Sequence, residues 1–188
     1  AHIICADKDQ AASEISMALD LIEHVSSVFG LTLGTDYSYR LSLGDRADDK
    51  KYYKNDTAWD EGEAMLREVL KNRGGAFVEA TGEAAFYGPK IDVQMQIGVG
   101  SRAKCESIAS VQLDFNSGGK FNLSYVDDQG KNVVPWIIHR APIGSHERMV
   151  SLLLERSQGH LPAWLAPIQV AILPVDERHE EHALKLHR

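Results

Sequence analysis

Apolar residues recur along the first third of the chain at the two spacings that distinguish helices from strands. Over residues 14–29 they return every three or four positions, which predicts an amphipathic helix. From Tyr37 to Leu43 they alternate with polar residues, as in a half-buried strand. After a charged loop, Thr57 is expected to cap a second amphipathic helix that ends at Gly74.

Short strand-like segments dominate the middle of the chain. They are residues 1–6, 76–80, 90–97, 107–115, 121–126 and 132–139. A turn-forming sequence, Asp-Asp-Gln-Gly at 127–130, separates two of them. Successive strands joined by short turns predict an antiparallel sheet rather than βαβ units, and with the flanking helices an α+β fold.

The pattern changes near the carboxyl end. A helix is predicted over 145–157, and the proline-bearing stretch 161–167 has the composition of a linker. Residues 168–175 then predict a buried strand, and Asp176 a helix cap. We therefore expect one domain over 1–160 and the start of a second, α/β domain over 168–188.

Composition narrows the class of protein. The chain has 188 residues, of which 44% are hydrophobic and 25% charged, as in globular proteins. Its formal net charge of -7 argues against a surface built throughout to bind phosphates. No apolar run approaches the roughly 20 residues that span a bilayer, and the first residues do not resemble a signal peptide, so a cytoplasmic location is expected. Two distant cysteines predict no disulfide framework.

Arg148 is the most informative single residue. It falls in the first turn of a predicted helix, where a cation faces the positive end of the helix dipole. Gly144, which permits close backbone approach, and Ser145, a good N-cap, precede it, and the three together suit a bound phosphate. The alternative is a surface arginine paired with Glu147 or another carboxylate.

Two histidines are placed on strands. His139 ends the strand of residues 132–139, and His2 is a polar residue within an otherwise apolar segment. Each can be a hydrogen-bonded core residue, or the two can bind zinc together. A catalytic zinc site needs a third protein ligand, and none is evident from the sequence. Whether Cys5 lies on the face opposite His139 depends on the strand register, which the sequence does not determine.

Polar residues also follow two further strands. Gly88 and Pro89 form a turn that leaves Tyr87 and Lys90 at the start of the strand 90–97. Gln112 and Asp114 share one face of the next strand, as Asp92 and Gln94 do on theirs. Such a face can simply meet solvent, but three strands with polar positions predict a water-accessible pocket.

Four segments, "AFYGPKIDVQ", "SVQLDF", "PWIIHRAPIGSHER" and "LPAWLAPIQVAILPV", occur in an order and at spacings that resemble the threonyl-tRNA synthetase family. The resemblance implies an antiparallel class II synthetase sheet flanked by helices, followed by the truncated start of an α/β anticodon-binding domain.

The resemblance also implies roles for particular residues. Arg148, Gly144 and Ser145 match the family's third sequence motif, which binds ATP. Arg148 and Lys90 match catalytic residues, and Tyr87, Lys90 and Gln112 match residues around the threonine and adenylate pocket. His2 and His139 match two zinc ligands, the third being a cysteine that lies upstream in the family.

The implied reaction is the activation of threonine by ATP with Mg²⁺, followed by transfer to tRNA(Thr). Zinc would distinguish threonine from its near-isostere valine by ligating the hydroxyl group. The family's first two motifs, including the surface of its homodimer, lie upstream of the matched region, so the 188-residue chain alone is expected to be inactive. The alternatives are a non-catalytic paralogue with a binding or regulatory role and, from the histidines alone, a zinc hydrolase.

Overall fold

The computed structural model describes residues 1–97 and 104–187. The chain forms two compact units, residues 1–150 and 151–188. Within the described ranges, no helix is both long enough and apolar enough to cross a membrane.

The first unit is built around one six-stranded sheet. Its strands are β1 (His2–Cys5), β2 (Tyr37–Leu43), β3 (Phe77–Thr81), β4 (Lys90–Ile97), β5 (Lys104–Asp114) and β8 (Trp136–Ala141). A separate hairpin consists of β6 (Tyr125–Val126) and β7 (Asn132–Val133). The helices are α1 (Lys8–Val28), α2 (Asp56–Asn72), α3 (Ser117–Lys120) and α4 (His146–Ser157), of which α4 continues past residue 150.

The strands of the sheet follow the order β1-β8-β5-β4-β2-β3. Four of the five neighbouring pairs are antiparallel, which confirms the α+β class. The prediction that no βαβ unit occurs is wrong for one pair, because β3 lies parallel to β2. Helix α2 connects the two strands, and a helical crossover returns the chain to the same end of the sheet, from which the next strand runs parallel.

The two faces of the sheet differ sharply in polarity. One face carries fully buried apolar side chains, among them Ile91, Val111, Leu113 and Ile138. Helix α1 packs against β5 and β8, and α2 against β2, which removes apolar surface from water. Because side chains alternate along a strand, the polar positions of β4, β5 and β8 point to the other face.

Both long helices begin at a different residue from the one predicted. Helix α1 starts at Lys8, because the Asp7 carboxylate accepts a hydrogen bond from the Gln10 backbone N–H at 2.8 Å. The cap of α2 is Asn55, whose side-chain oxygen accepts from the Ala58 backbone N–H at 3.2 Å. The assignment of the cap to Thr57 was therefore wrong: Thr57 already lies in the first turn.

The segments predicted as strands at 121–126 and 132–139 are largely irregular. Only two residues of each segment pair with the other segment, and these make up the β6–β7 hairpin. The second segment is then interrupted before β8 begins at Trp136. Pro135 has no backbone N–H to contribute to a ladder, which separates β7 from β8.

The second unit holds little regular structure. Asp176 caps a short 3₁₀ turn (Glu177–His179) that leads into α5 (Glu180–His187), as predicted for a helix start. Residues 168–175 were expected to form a buried strand but adopt no strand conformation, and Val170 and Leu173 are largely exposed. No described strand pairs with this segment, and an unpaired strand leaves its backbone groups without partners.

The revised cap of α2 can be tested by substitution. Asn55→Ala removes the acceptor for the Ala58 N–H and is expected to lower the free energy of unfolding by about 1 kcal/mol. Thr57→Ala, two residues later and exposed, is expected to change it by less than about 0.5 kcal/mol. Urea denaturation followed by circular dichroism compares the two, and a larger loss for Thr57→Ala would restore the original assignment.

Candidate functional site

A straight row of polar side chains crosses four strands of the sheet. The register places Lys90 of β4 opposite Gln112 of β5, Gln112 opposite His139 of β8, and His139 opposite His2 of β1. Directly opposed residues share a face, and neighbouring strands lie roughly 5 Å apart, so the four side chains form one continuous line. We call these four residues the polar row.

The two histidines at one end of the row are in contact. Their ring centroids are 4.6 Å apart in an edge-to-face arrangement. The Nε2 atom of His139 lies 2.8 Å from Oδ2 of Asp114, which is fully buried. An ionised carboxylate only accepts hydrogen bonds, so Nε2 is the donor in this pair, and in the neutral ring Nδ1 keeps its lone pair.

Asp114 is itself held in place by the backbone. Its Oδ1 atom accepts hydrogen bonds from the N–H groups of Asn116 and Ser117, at 2.9 and 2.8 Å. The orientation of the carboxylate is therefore fixed by the turn that follows β5. Through Asp114, the same turn also fixes the tautomer and the plane of the His139 ring.

The register removes Cys5 as a ligand partner of the histidines. Cys5 lies opposite Trp136, three residues from His2, so its side chain points to the other face of the sheet. It is completely buried, and burial, reinforced by the charges of Glu14 and Asp7, raises the pKa of its thiol to about 11. Cys5 is a protonated core residue.

Tyr87 covers the middle of the row. Its hydroxyl donates a hydrogen bond to the side-chain oxygen of Gln112, and its ring lies 4.9 Å from that of His139. Burial, and after it the negative charge of Asp114, raises the pKa of the phenol, which keeps the proton that this hydrogen bond uses. Tyr87 therefore links Gln112 to the histidine pair.

Gly88 explains how Tyr87 reaches that position. A Cβ atom at this residue would lie 1.9 Å from the Leu113 carbonyl oxygen, a distance that no side chain tolerates. Pro89 then accepts a hydrogen bond from the Leu113 N–H at 3.0 Å. The turn predicted from Gly88 and Pro89 thus docks directly on β5.

The other end of the row carries a cluster of charges. Lys90 Nζ, Arg40 Nη2 and Ser42 Oγ all approach one atom, Oδ2 of Asp92, at 2.6, 3.0 and 2.7 Å. Glu83, which is more exposed, lies 3.5 Å from the same Arg40 nitrogen. The cluster joins β2 to β4 on the polar face.

Arg148 lies at the start of α4, as predicted. Its backbone N–H donates to Ser145 Oγ at 3.2 Å, which confirms Ser145 as the cap. Its guanidinium donates to the Ser107 carbonyl at 2.8 Å. Over the described ranges the structure gives Arg148 no carboxylate partner, so the alternative pairing with Glu147 is not observed.

Gly144 brings this helix start against β5. It adopts a φ of +64°, and a Cβ there would lie 2.8 Å from the Ile108 carbonyl oxygen. The close backbone approach expected of Gly144 is therefore an approach to β5. That strand carries Gln112 in the polar row and, five residues away across an irregularity in the β4–β5 register, Ser107, whose carbonyl Arg148 contacts.

The structure thus brings five of the predicted residues together on one face: His2, His139, Gln112, Tyr87 and Lys90. The first four are joined by side-chain contacts, and Lys90 lies opposite Gln112 in the register. Arg148, with Gly144 and Ser145, lies farther along β5. Sequence reasoning noticed Asp92 and Asp114 as polar positions but gave them no role, and it missed Arg40. The alternation of Arg40 and Ser42 in β2 was the only available signal, because their pairing with Asp92 depends on register.

The histidine pair fits part of a zinc site. Two adjacent imidazoles, one with its free nitrogen set by a buried carboxylate, are the donor set and the supporting contact that zinc sites use. Among the residues that the structure describes, no third histidine, cysteine or carboxylate completes a group of ligands.

The site lies on a mostly antiparallel sheet with a polar face. A turn docks on β5 before β4 begins, and a capped helix with an arginine in its first turn lies beside β5. This is the arrangement of a class II aminoacyl-tRNA synthetase core. The family model for the tRNA synthetase class II core domain (G, H, P, S and T) matches residues 1–157, and the chain belongs to this family.

Curated relatives specify the match further. A threonine–tRNA ligase of Oceanobacillus iheyensis is 41% identical over 184 residues, which are 97% of this chain and 27% of that protein. Threonine–tRNA ligase 1 of Bacillus subtilis is 41% identical over 187 residues, 99% of this chain and 28% of that protein. The chain spans about a quarter of the length of these relatives.

Two solved structures share the fold. One, described as the RNA binding domain of threonyl-tRNA synthetase from Cryptosporidium parvum, superposes with a TM-score of 0.84 at 34% identity, covering 98% of this chain and 44% of that one. A putative threonyl-tRNA synthetase from Aeropyrum pernix gives a TM-score of 0.79 at 30% identity, covering 98% and 42%.

The docking of the turn on β5 yields a stability prediction. Gly88→Ala places a methyl group in the Leu113 carbonyl, and we expect the free energy of unfolding to fall by about 1–3 kcal/mol or more. Gly119→Ala is the matched control, since a Cβ there meets no atom within 4 Å. Urea titrations of both variants test this, and equal stabilities would show that the turn does not pack on β5 as described.

The placement of Cys5 yields a reactivity prediction. With iodoacetamide at pH 8, the exposed Cys105 is expected to be alkylated while Cys5, buried and with a pKa raised to about 11, stays unmodified. In urea both thiols should react. Peptide mass spectrometry reads each site separately, and alkylation of Cys5 at the rate of Cys105 in the folded chain would contradict its core position.

Proposed function

We propose that this chain forms part of a threonine–tRNA ligase, in which it supplies one wall of the site where threonine is activated by ATP. The observation that carries the proposal is the polar row, because it sets a histidine pair and a lysine at opposite ends of one line. Family membership and the names of the curated relatives support the same assignment.

The dimensions of the row suit an amino acid. His139 and Lys90 are two strands apart, a backbone separation of about 10 Å, and Gln112 with Tyr87 lies between them. A threonine bound with its hydroxyl at the histidines would extend along the row, with its carboxylate towards Gln112 and Lys90. Lys90 would then lie beside the anionic group that forms when the carboxylate attacks the α-phosphorus of ATP.

His2 and His139 are the proposed zinc ligands on this chain, and a third ligand from outside the described residues would complete the site. Zinc, when bound, supplies a Lewis acid that ligates the threonine hydroxyl, which valine lacks. Asp114 holds the His139 ring and leaves Nδ1 available as the ligating atom. The protein's own part in selectivity is thus the fixed orientation of the His139 imidazole, with the His2 ring beside it.

Arg148 is the proposed contact for the phosphates of ATP with Mg²⁺. Its guanidinium already faces β5, and Ser145 and Gly144 place the positive end of α4 at the same point. Ser107, whose carbonyl Arg148 contacts, lies five residues from Gln112 along β5, which leaves room for a nucleotide polyphosphate beside the amino acid. Transfer to tRNA(Thr), a homodimer and an anticodon-binding domain from residue 168 onwards belong to the same proposal.

Threonine-dependent exchange of pyrophosphate into ATP tests the assignment. We would compare the 188-residue chain with a chimaera in which it replaces the matching segment of the Oceanobacillus iheyensis threonine–tRNA ligase, with that ligase as positive control. The chimaera is expected to catalyse the exchange and to hold one zinc ion, and the isolated chain to do neither. Valine should not replace threonine.

His139→Ala in the chimaera provides the site-specific variant and is expected to abolish zinc binding and exchange. His24→Ala, on helix α1, is the matched control and should retain both. A folded chimaera that binds ATP but shows no exchange would contradict catalysis and favour the non-catalytic paralogue. Exchange by the isolated chain would contradict the expectation that it is incomplete.

A further inference from the structure

The contact between Lys90 and the Asp92 carboxylate differs from an ordinary surface ion pair. The Asp92 side chain is 2% exposed, and a single oxygen of it, Oδ2, receives the Lys90 ammonium, the Arg40 guanidinium and the Ser42 hydroxyl. The two cations are therefore held within about 6 Å of each other. The side chains of Lys90 and Arg40 retain 18% and 22% exposure.

Removing Asp92 would leave two neighbouring cations with no shared counter-charge. A lysine ammonium lies on a flexible four-carbon stem, so it takes a defined position only where a partner fixes it. The carboxylate between the cations both attracts them and screens their repulsion. Register determines the arrangement, since Arg40 lies opposite Asp92 and Ser42 opposite Lys90 across β2 and β4.

We propose that Asp92, with Arg40, is a positioning residue that holds the Lys90 ammonium at the end of the polar row. It acts through Lys90 and contacts no substrate. The inference rests on the proposed function for its consequence in the reaction. The position of Lys90 itself can be measured on the isolated chain without any activity.

Competitive labelling with acetic anhydride at pH 8 measures the position of Lys90. In the parent chain we expect Lys90 to be acetylated several-fold more slowly than Lys54, whose side chain is 64% exposed. Asp92→Asn keeps the volume of the side chain and removes its charge, and we expect it to raise the Lys90 rate at least threefold without changing Lys54. Glu63→Gln is the matched control, because it breaks the partly buried ion pair with Arg46 between α2 and the loop after β2.

Kinetics of the chimaera measure the consequence. We expect Asp92→Asn to lower kcat for threonine-dependent exchange at least tenfold and to change KM for threonine less than threefold, because the histidine end of the row is untouched. The zinc content should be unchanged. In Lys90→Met, adding Asp92→Asn should cause little further loss, since the lysine through which Asp92 acts is already gone.

Each outcome has a defined meaning. A chimaera without exchange contradicts the proposed function, whereas an active chimaera in which Asp92→Asn matches Glu63→Gln in labelling and kcat overturns the positioning role. Full additivity of Asp92→Asn and Lys90→Met would overturn it as well. If Asp92→Asn does not fold, Arg40→Gln replaces it: faster Lys90 labelling and a several-fold lower kcat support the inference, and parental values for both contradict it.

Discussion

The register of the sheet is the constraint on which the site depends. His2, His139, Gln112 and Lys90 come from four strands that are separated by up to 137 positions in sequence, and only their pairing brings them into line. Because side chains alternate, a slip of one residue in any strand would send its member of the row to the helix-covered face. The buried apolar residues of the opposite face prevent such a slip, so the core and the site are specified by the same pairing.

Two buried carboxylates of the sheet, Asp114 and Asp92, are held by hydrogen bonds in a similar way. Asp114 is fixed by two backbone N–H groups before it holds His139, and Asp92 is surrounded by three donors. Burying a carboxylate is costly unless it is hydrogen-bonded, and both oxygens of Asp114 have partners while Oδ2 of Asp92 has three. Each therefore combines a structural role within the sheet with a fixed orientation of the side chain that it contacts.

Much of this arrangement could be predicted from the sequence, and the exceptions share a physical cause. Alternation and capping chemistry are local, and they correctly predicted β2, β4, the turn at Gly88 and the capping role of Ser145. The position of Cys5 relative to His139 and the shared contact of Arg40 and Lys90 depend on pairing between distant strands, which no local pattern encodes. The parallel β2–β3 pair was missed because the residues of the strand after α2 do not indicate in which direction the strand pairs.

The prediction of a strand over residues 168–175 was wrong for a related reason. Their hydrophobicity is that of a buried strand, yet a strand exists only through its neighbours, and in the described structure this segment has none. Thr57 illustrates a smaller effect, since Asn55 and Thr57 both have capping side chains and only the backbone geometry selects between them. The zinc and ATP assignments came from the family resemblance and remain proposals that the geometry supports.

Gly144 has a wider consequence for how the two ends of the site relate. Its contact with the Ile108 carbonyl ties the start of α4 to the same strand that carries Gln112, with no flexible loop between them. β5 thus acts as a spacer whose length is set by its backbone, including the register irregularity opposite Val93 and Gln94. Under the proposed function, the length of this spacer would determine the combined length of amino acid and nucleotide that the site accepts. The site would not need to close around the two substrates to fit them.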